Sequence, residues 1–277
     1  MFKTFKSQIG ASVSLLDHLS PEVIIGKLGD SLFSKNIIFR ERLDSTNILA
    51  KELALKGAPE GTVVLAEEQK AGKGRMNRRW LSQGYKNLLV SILLRPALPV
   101  NQVFVMTMIL AVAVIDGIRA KNRLNVMVKW PNDLYVDNKK LGGILTEFSQ
   151  RDGLIEHVIL GLGLNVNWNP GEKEGLLYTA TSILTETGRK VSRNELIAEM
   201  LMRFEIYYKD AMSGRLENLY EKWNALSLVL GKEVDIQSHG ENIMGTALRI
   251  DHHGALVIMR PDGREQKILS GDVSLRF

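Results

Sequence analysis

The feature that constrains the fold most is the stretch Val100–Lys121, which follows turns at Pro96 and Pro99 and is apolar around its whole helical circumference over residues 106–114. A helix without a polar face has to be covered on more than one side. Its most apolar run, residues 103–115, is shorter than a bilayer crossing needs and is flanked by polar residues, so a core helix is expected. The methionines within it then fill core space. Covering such a helix takes layers of other structure. A chain of 277 residues, 45% apolar and 24% charged, can supply them as one large domain with a smaller one beside it, or as two of ordinary size.

Those layers are visible in the patterning. Residues 37–39, 62–66, 87–94, 125–129, 134–136, 141–148 and 155–164 read as strands, and Asp137-Asn138 as a hairpin turn. Helical spacing marks 48–56, stopped by Gly57 and capped by Asp44 or Ser45, and a short helix is expected over 21–28. Ser192 and Glu195 form a capping box for a helix running to about Ala211, followed by another over 216–225. From Gly231 the texture changes to five short strands, 233–236, 243–250, 255–259, 265–269 and 273–277, separated by glycine-containing turns. That pattern predicts a small β-barrel.

The chemistry is concentrated in one loop, Gln69-Lys70-Ala71-Gly72-Lys73-Gly74-Arg75-Met76-Asn77-Arg78-Arg79-Trp80, which joins two strands and carries five positive charges without an acid. Gly72 and Gly74 allow a close backbone approach to a ligand, the cations can make charge-assisted hydrogen bonds, and Trp80 offers an apolar face. Taken alone, a solvated surface turn explains such a loop more simply. The formal net charge of +5 equals the contribution of this loop, so the basicity is local, as a small anionic ligand needs, and forms no stripe for nucleic acid. The cluster Asp44-Ser45-Thr46-Asn47 is either a helix cap or a helix N-terminus that presents donors and hydroxyls to a polar ligand group. Lys129 ends an apolar strand just before Trp130-Pro131-Asn132-Asp133, where a charge is costly unless it meets an opposite one.

Other chemistries are excluded or unsupported. With no cysteine there is no disulfide framework, thiol nucleophile or cysteine metal site, and the histidines are isolated or lie in turns. Residues 161–167 contain Gly161-Leu162-Gly163 but lack the third glycine and the following helix of a dinucleotide site. Lys3 and Lys6 are followed by polar residues rather than a signal core, so a cytoplasmic protein is expected.

Taken together, Asp44-Ser45-Thr46-Asn47, Gln69 with Ala71-Gly72-Lys73-Gly74-Arg75 to Trp80, Lys129-Trp130-Pro131-Asn132-Asp133, Lys140-Leu141-Gly142-Gly143-Ile144-Leu145, the stretch 161–165 and Gly271-Asp272-Val273-Ser274-Leu275-Arg276 resemble the biotin protein ligases in order and spacing. The resemblance implies an α/β (α+β) catalytic domain with a mixed sheet, of the class II synthetase-like biotin/lipoate ligase fold, over residues 36–228. It implies an SH3-like barrel over 229–277. Residues 1–35 are expected to be an N-terminal extension, too short for the winged helix-turn-helix of bifunctional members, so no repressor role and no DNA partner are expected. No membrane partner is expected either.

The implied reaction joins biotin and ATP into biotinyl-5′-adenylate and then passes biotin to a lysine of a biotin carboxyl carrier protein. Lys129 and Arg75 are the expected catalytic cations, set against the biotin carboxylate and the α-phosphate. Ser45, Thr46, Asn47 and Gln69 are placed near the biotin urea. Lys73, Gly74, Gly142 and Gly143 are placed along the rest of biotin, with Arg75 and Lys129 at its carboxylate. Arg75, Arg78, Trp80, Lys129, Asn132 and Asn165 are placed on ATP, with Arg276 near ATP or the acceptor. No protein-held metal site is expected, and Mg²⁺ should ride on the phosphates. The commonest family loop has arginine where this chain has Lys73, which keeps the charge but loses the bidentate geometry, and glycine where it has Asn77. A lipoate protein ligase or a non-catalytic biotin sensor are the alternatives, and homodimerisation, common among relatives, is left open by the sequence.

Overall fold

The computed structural model describes residues 17–172, 179–238 and 240–275. Arg276 and His239, both considered above, lie outside them. In chain order the first unit runs α1 (Pro21–Leu28), β1 (Ile37–Leu43), α2 (Thr46–Leu55), β2 (Val63–Gln69), β3 (Leu88–Leu94) and α3 (Phe104–Lys121). It continues with β4 (Val126–Lys129), β5 (Asp133–Val136), β6 (Lys139–Arg151), β7 (Leu154–Leu164), α4 (Ile183–Thr187), α5 (Arg193–Met212) and α6 (Glu217–Leu226). The seven strands form one sheet in the order β1-β2-β3-β7-β6-β5-β4, with β1 and β2 parallel and every other pair antiparallel. The sheet is therefore mixed, as expected.

Alternation along the strands divides the core in two. On one face Val63, Leu65, Leu88, Val90, Ile92, Leu160, Leu162 and Leu164 pack with α1, α3 and α5. On the other face Val64, Leu93 and Ile159 pack with Ala50 and Ala54 of α2. The all-apolar helix is covered as predicted: every residue from 105 to 115 is buried, against α5 on one side and β6 and β7 on the other. Val100–Lys121 is nonetheless long and apolar enough, by length and composition alone, to cross a membrane. That corrects the reading of the run as too short, and burial in protein is what accounts for its composition.

The segment before β1 belongs to the same core, because Leu19, Ile24, Leu28 and Phe33 are buried in it. Arg193 at the start of α5 and Glu67 of β2 are both fully buried and paired at 2.6 Å. Arg193 also reaches the Asp17 carboxylate at 3.1 Å and the Asn87 carbonyl at 3.0 Å.

The C-terminal strands β8 (Glu233–Ser238), β9 (Glu241–Ile250), β10 (Leu256–Met259), β11 (Glu265–Ile268) and β12 (Asp272–Leu275) form one antiparallel sheet in the order β11-β10-β9-β8-β12. No hydrogen-bonded pairing joins β11 to β12 among the described residues, so this sheet is open where a closed barrel was expected. It seats on the first unit where the Trp130 indole donates to Gly254 O at 2.9 Å and Phe104 covers Gly254 so closely that a Cβ there would lie 2.0 Å from the ring.

Candidate active site

A cavity of about 380 Å³ opens on the face of the sheet that carries α2. Alternation makes it. Gly161 and Gly163 project to that face between the core leucines of β7, and their lack of side chains leaves the space. A Cβ at Gly161 would lie 2.1 Å from Asn47 Oδ1, and one at Gly163 would lie 2.4 Å from the Trp80 indole.

One wall is neutral and polar. Ser45, Thr46, Asn47 and Gln69 line it, all from the N-terminus of α2 or the end of β2. Ser45 occupies the N-cap position, but its hydroxyl makes no capping hydrogen bond, and neither does Asp44, so the capping explanation of this cluster fails. The helix instead ties its first amide to the loop: Thr46 N donates to Gln69 Oε1 at 2.7 Å.

The opposite wall is cationic, with Lys73, Arg75, Arg78, Arg79 and Lys140 against the two acids Asp133 and Asp272. The basic loop is folded back on itself by Gly74 N donating to Arg78 O at 2.7 Å and Trp80 N donating to Gly72 O at 2.9 Å. Met76 and Asn77 both have positive φ at its tip, a conformation that the usual glycine in place of Asn77 would adopt without strain. Arg75 donates to Asn132 Oδ1 at 3.2 Å, and Arg78 pairs with Asp272 of β12. Burial holds the Arg75 guanidinium below its usual range, with Asp133 opposing that shift and Arg78 adding to it.

Of the expected residues, Ser45, Thr46, Asn47, Gln69, Lys73, Gly74, Arg75, Arg78, Trp80, Asn132 and Gly143 line the cavity. Three do not. Asn165 is turned inward and donates to Thr181 O at 2.9 Å, and the Cβ position of Gly142 is jammed at 2.9 Å against the Gly163 carbonyl. Lys129 sits with its ammonium 5.2 Å from the Tyr135 ring centre, directly across the strand pair from Asp133. The nearest opposite charge is therefore Asp133, which itself pairs with Lys140. Burial lowers the Lys129 pKa, Asp133 counters that, and Lys140 and Arg78 lower it further.

The lysine that does line the cavity is Lys140, 2.7 Å from Asp133 Oδ1 and 5.9 Å from the Trp80 ring centre. The pairing of β5 with β6 shifts register between Leu134 and Tyr135, and such irregularities re-aim side chains. Lys139 bonds Glu186 at 2.5 Å, away from the cavity, and its neighbour points in. In sequence Lys140 falls in the stretch Lys140-Leu141-Gly142-Gly143-Ile144-Leu145 but carries no assigned role. Ser91 and Glu147, bonded to Asn47 at 2.6 and 2.8 Å, were also not singled out. A lone serine inside the apolar strand 88–94 is the signal that marks the first.

Residues 39–165 match the model of the biotin/lipoate A/B protein ligase family, and residues 229–276 match that of the biotin protein ligase C-terminal domain. The bifunctional ligase/repressor BirA of Bacillus subtilis is 35% identical over 258 residues, covering 93% of this chain and 79% of that protein. The chain belongs to the biotin protein ligase family. As such it is a biotin ligase enzyme. The biotin–[acetyl-CoA-carboxylase] ligase of Mycobacterium tuberculosis is 30% identical to this family member over 93% of the chain and 97% of its own length. The biotin protein ligase of Aquifex aeolicus, solved in complex with biotin and ATP, superposes with a TM-score of 0.75 at 30% identity, covering 87% of this ligase and 99% of that chain.

Proposed function

We propose that this ligase makes biotinyl-5′-adenylate from biotin and ATP and transfers the biotinyl group to a lysine of a biotin carboxyl carrier protein within the one cavity. The observation that carries this reading is the division of that cavity into a neutral hydrogen-bonding wall and a cationic wall. The first suits an uncharged cyclic urea, the second a carboxylate and a polyphosphate. A lipoyl head has nothing to bond the neutral wall with. The complex of the Aquifex relative with biotin and ATP supports the same substrates here.

In the first step a biotin carboxylate oxygen attacks the α-phosphorus, the bond to the bridging oxygen breaks, and pyrophosphate leaves with the electron pair. Cations fixed beforehand offset the charge that grows there. Lys140 and Arg75 are assigned that task in place of Lys129, which acts from longer range, and Arg78 and Lys73 are assigned to the phosphates. Trp80 and Asn132 are assigned to the adenine side. In the second step the acceptor amine attacks the acyl carbon, AMP departs, and the amine loses a proton. Mg²⁺ fits as a companion of the triphosphate, because Asp133 and Asp272 are engaged by Lys140 and Arg78 and no cluster of three metal-ligating side chains occurs among the described residues. It would supply further charge neutralisation there.

The name of the Mycobacterium relative supports an acetyl-CoA carboxylase carrier as acceptor, and its match over 97% of a protein named as a ligase alone supports a ligase without repressor function. A cytoplasmic enzyme completes the reading. The test is pyrophosphate release with ATP and Mg²⁺, comparing biotin with lipoate and then adding a biotin carrier domain. Biotin-dependent release followed by labelling of a carrier lysine is expected. Release with lipoate alone would make it a lipoate ligase, and tight biotin binding without release would make it a sensor.

A further inference from the structure

The neutral wall of the cavity is one end of a hydrogen-bond chain whose other end is Glu147, a β6 residue outside the cavity lining. Glu147 Oε2 accepts from Asn47 Nδ2 at 2.8 Å, and the same amide nitrogen faces the Leu145 carbonyl at 3.4 Å. Two acceptors on one side settle which way the Asn47 amide points. Its Oδ1 is thereby turned to the buried Ser91 hydroxyl at 2.6 Å. An amide oxygen only accepts, so the single Ser91 proton is committed to it. The Thr46 hydroxyl oxygen is 2.7 Å from that of Ser91 and 3.1 Å from Gln69 Oε1; with Ser91's proton spent on Asn47, the shorter contact between the two hydroxyl oxygens takes Thr46's proton in preference to the longer one to Gln69. Gln69 Oε1, in turn, already accepts from the Thr46 amide.

The consequence reaches the cavity. Thr46 offers lone pairs there, because its proton points back at Ser91, and Gln69 offers its NH₂, because its oxygen is taken. Acceptor beside donor is the complement of a cyclic urea, whose N–H donates and whose carbonyl accepts. We propose that Glu147 is a positioning residue for biotin selectivity, fixing through Asn47 and Ser91 the donor and acceptor sense of the wall that meets the urea; this rests on the ligase reading above. Without the carboxylate the Asn47 amide is free to turn over, Ser91 then donates to Thr46, and the Thr46 proton is released to turn between Gln69 Oε1 and the ligand, so the acceptor that meets the urea N–H is no longer fixed.

The test is steady-state pyrophosphate release by Glu147→Leu, Glu147→Gln, Thr46→Val and the double variant Glu147→Leu/Thr46→Val, each with its melting temperature. Glu147→Leu should raise the KM for biotin about 10-fold, the cost of one misdirected buried hydrogen bond, with the KM for ATP and kcat within about two-fold. Glu147→Gln, which keeps an oxygen for Asn47, should recover most of that loss. Because Glu147 acts through Thr46, the double variant should be no worse than the poorer single one. An unchanged biotin KM in Glu147→Leu, a parallel rise in both KM values with a lowered melting temperature, or additive effects in the double variant would overturn the proposal while leaving the ligase intact. No biotin-dependent release by the unsubstituted protein would sink the ligase reading itself, and the proposal with it.

Discussion

Two lysines eleven residues apart compete for the role of catalytic cation. Lys129 stands before the conspicuous Trp130-Pro131-Asn132-Asp133 and across the strand pair from Asp133, but the lysine that pairs with Asp133 and lines the cavity is Lys140. At ~4 Å and an effective dielectric of ~20, a cation is worth on the order of 4 kcal/mol to a developing negative charge before desolvation. Lys140→Ala should therefore slow adenylate formation by roughly 10²- to 10³-fold, and Lys129→Ala by less than about 10-fold. Single-turnover rates with biotin and ATP decide it, and the reverse ranking would restore Lys129 as the catalytic cation. A second residue sets a pH limit. His157 of β7 is buried, and burial, with Arg95 adding, holds its pKa below the ordinary value. Unfolding then takes up a proton as pH falls through ~6.5, and stability is lost with it. The drop in melting temperature between pH 7.5 and 5.5 should be smaller for His157→Gln. An equal drop would assign the loss to carboxylates alone.

At the scale of elements, α5 is bound to β2 by an ion pair with no access to water. Removing Glu67 leaves the buried Arg193 with Asp17, its partly exposed second partner, so Glu67→Ala should cost ~3 kcal/mol of stability in denaturant unfolding. Replacing both partners with leucine and methionine of similar volume should recover most of that. The basic loop is the contrasting case. Arg79 bonds back to Lys70 O within the loop, the loop's side chains are largely exposed, and beyond the backbone bonds of Lys70 and Ala71 at its base the outward ties are the contacts of Arg75 and Arg78. Ligand phosphates would compete with Asp272 for Arg78, so trypsin should cut within 75–79 in the free enzyme and be blocked by biotin with ATP. Equal cutting in both would rule out an ordering loop.

Across the whole molecule, what periodicity governs was readable. Residue spacing located the strands of both sheets and the buried helix to within a few residues, because burial on a sheet face or around a helix imposes a period. Contacts between distant segments were not readable. The inward turn of Lys140 depends on a register shift between two strands. The Glu147 chain depends on Asn47, Ser91 and Glu147 meeting from three elements, and the open edge of the C-terminal sheet depends on a pairing that no short stretch specifies. The family resemblance supplied the composition of the cavity but drew Lys129, Gly142 and Asn165 into it. Asn165 is held by an inward hydrogen bond and Gly142 is packed against the Gly163 carbonyl, whereas Lys129 stands across the strand pair from Asp133, one residue from the lining.

Strand β7 obeys two opposite rules of volume at once. Leu160, Leu162 and Leu164 fill the core on one face, and Gly161 and Gly163 hold space open on the other. A full substitution scan of 160–164 would trace a sawtooth with a period of two residues, and its alternate teeth would fail for unlike reasons. Shrinking an even position should yield a protein that melts early, by ~2–5 kcal/mol for leucine to alanine, with its substrate affinities intact while it stays folded. Enlarging an odd one pushes a side chain against Asn47 or the Trp80 indole and should cost ligand affinity far more than melting temperature, so that stability and activity, read separately along five residues, would map which side of one strand each property inhabits.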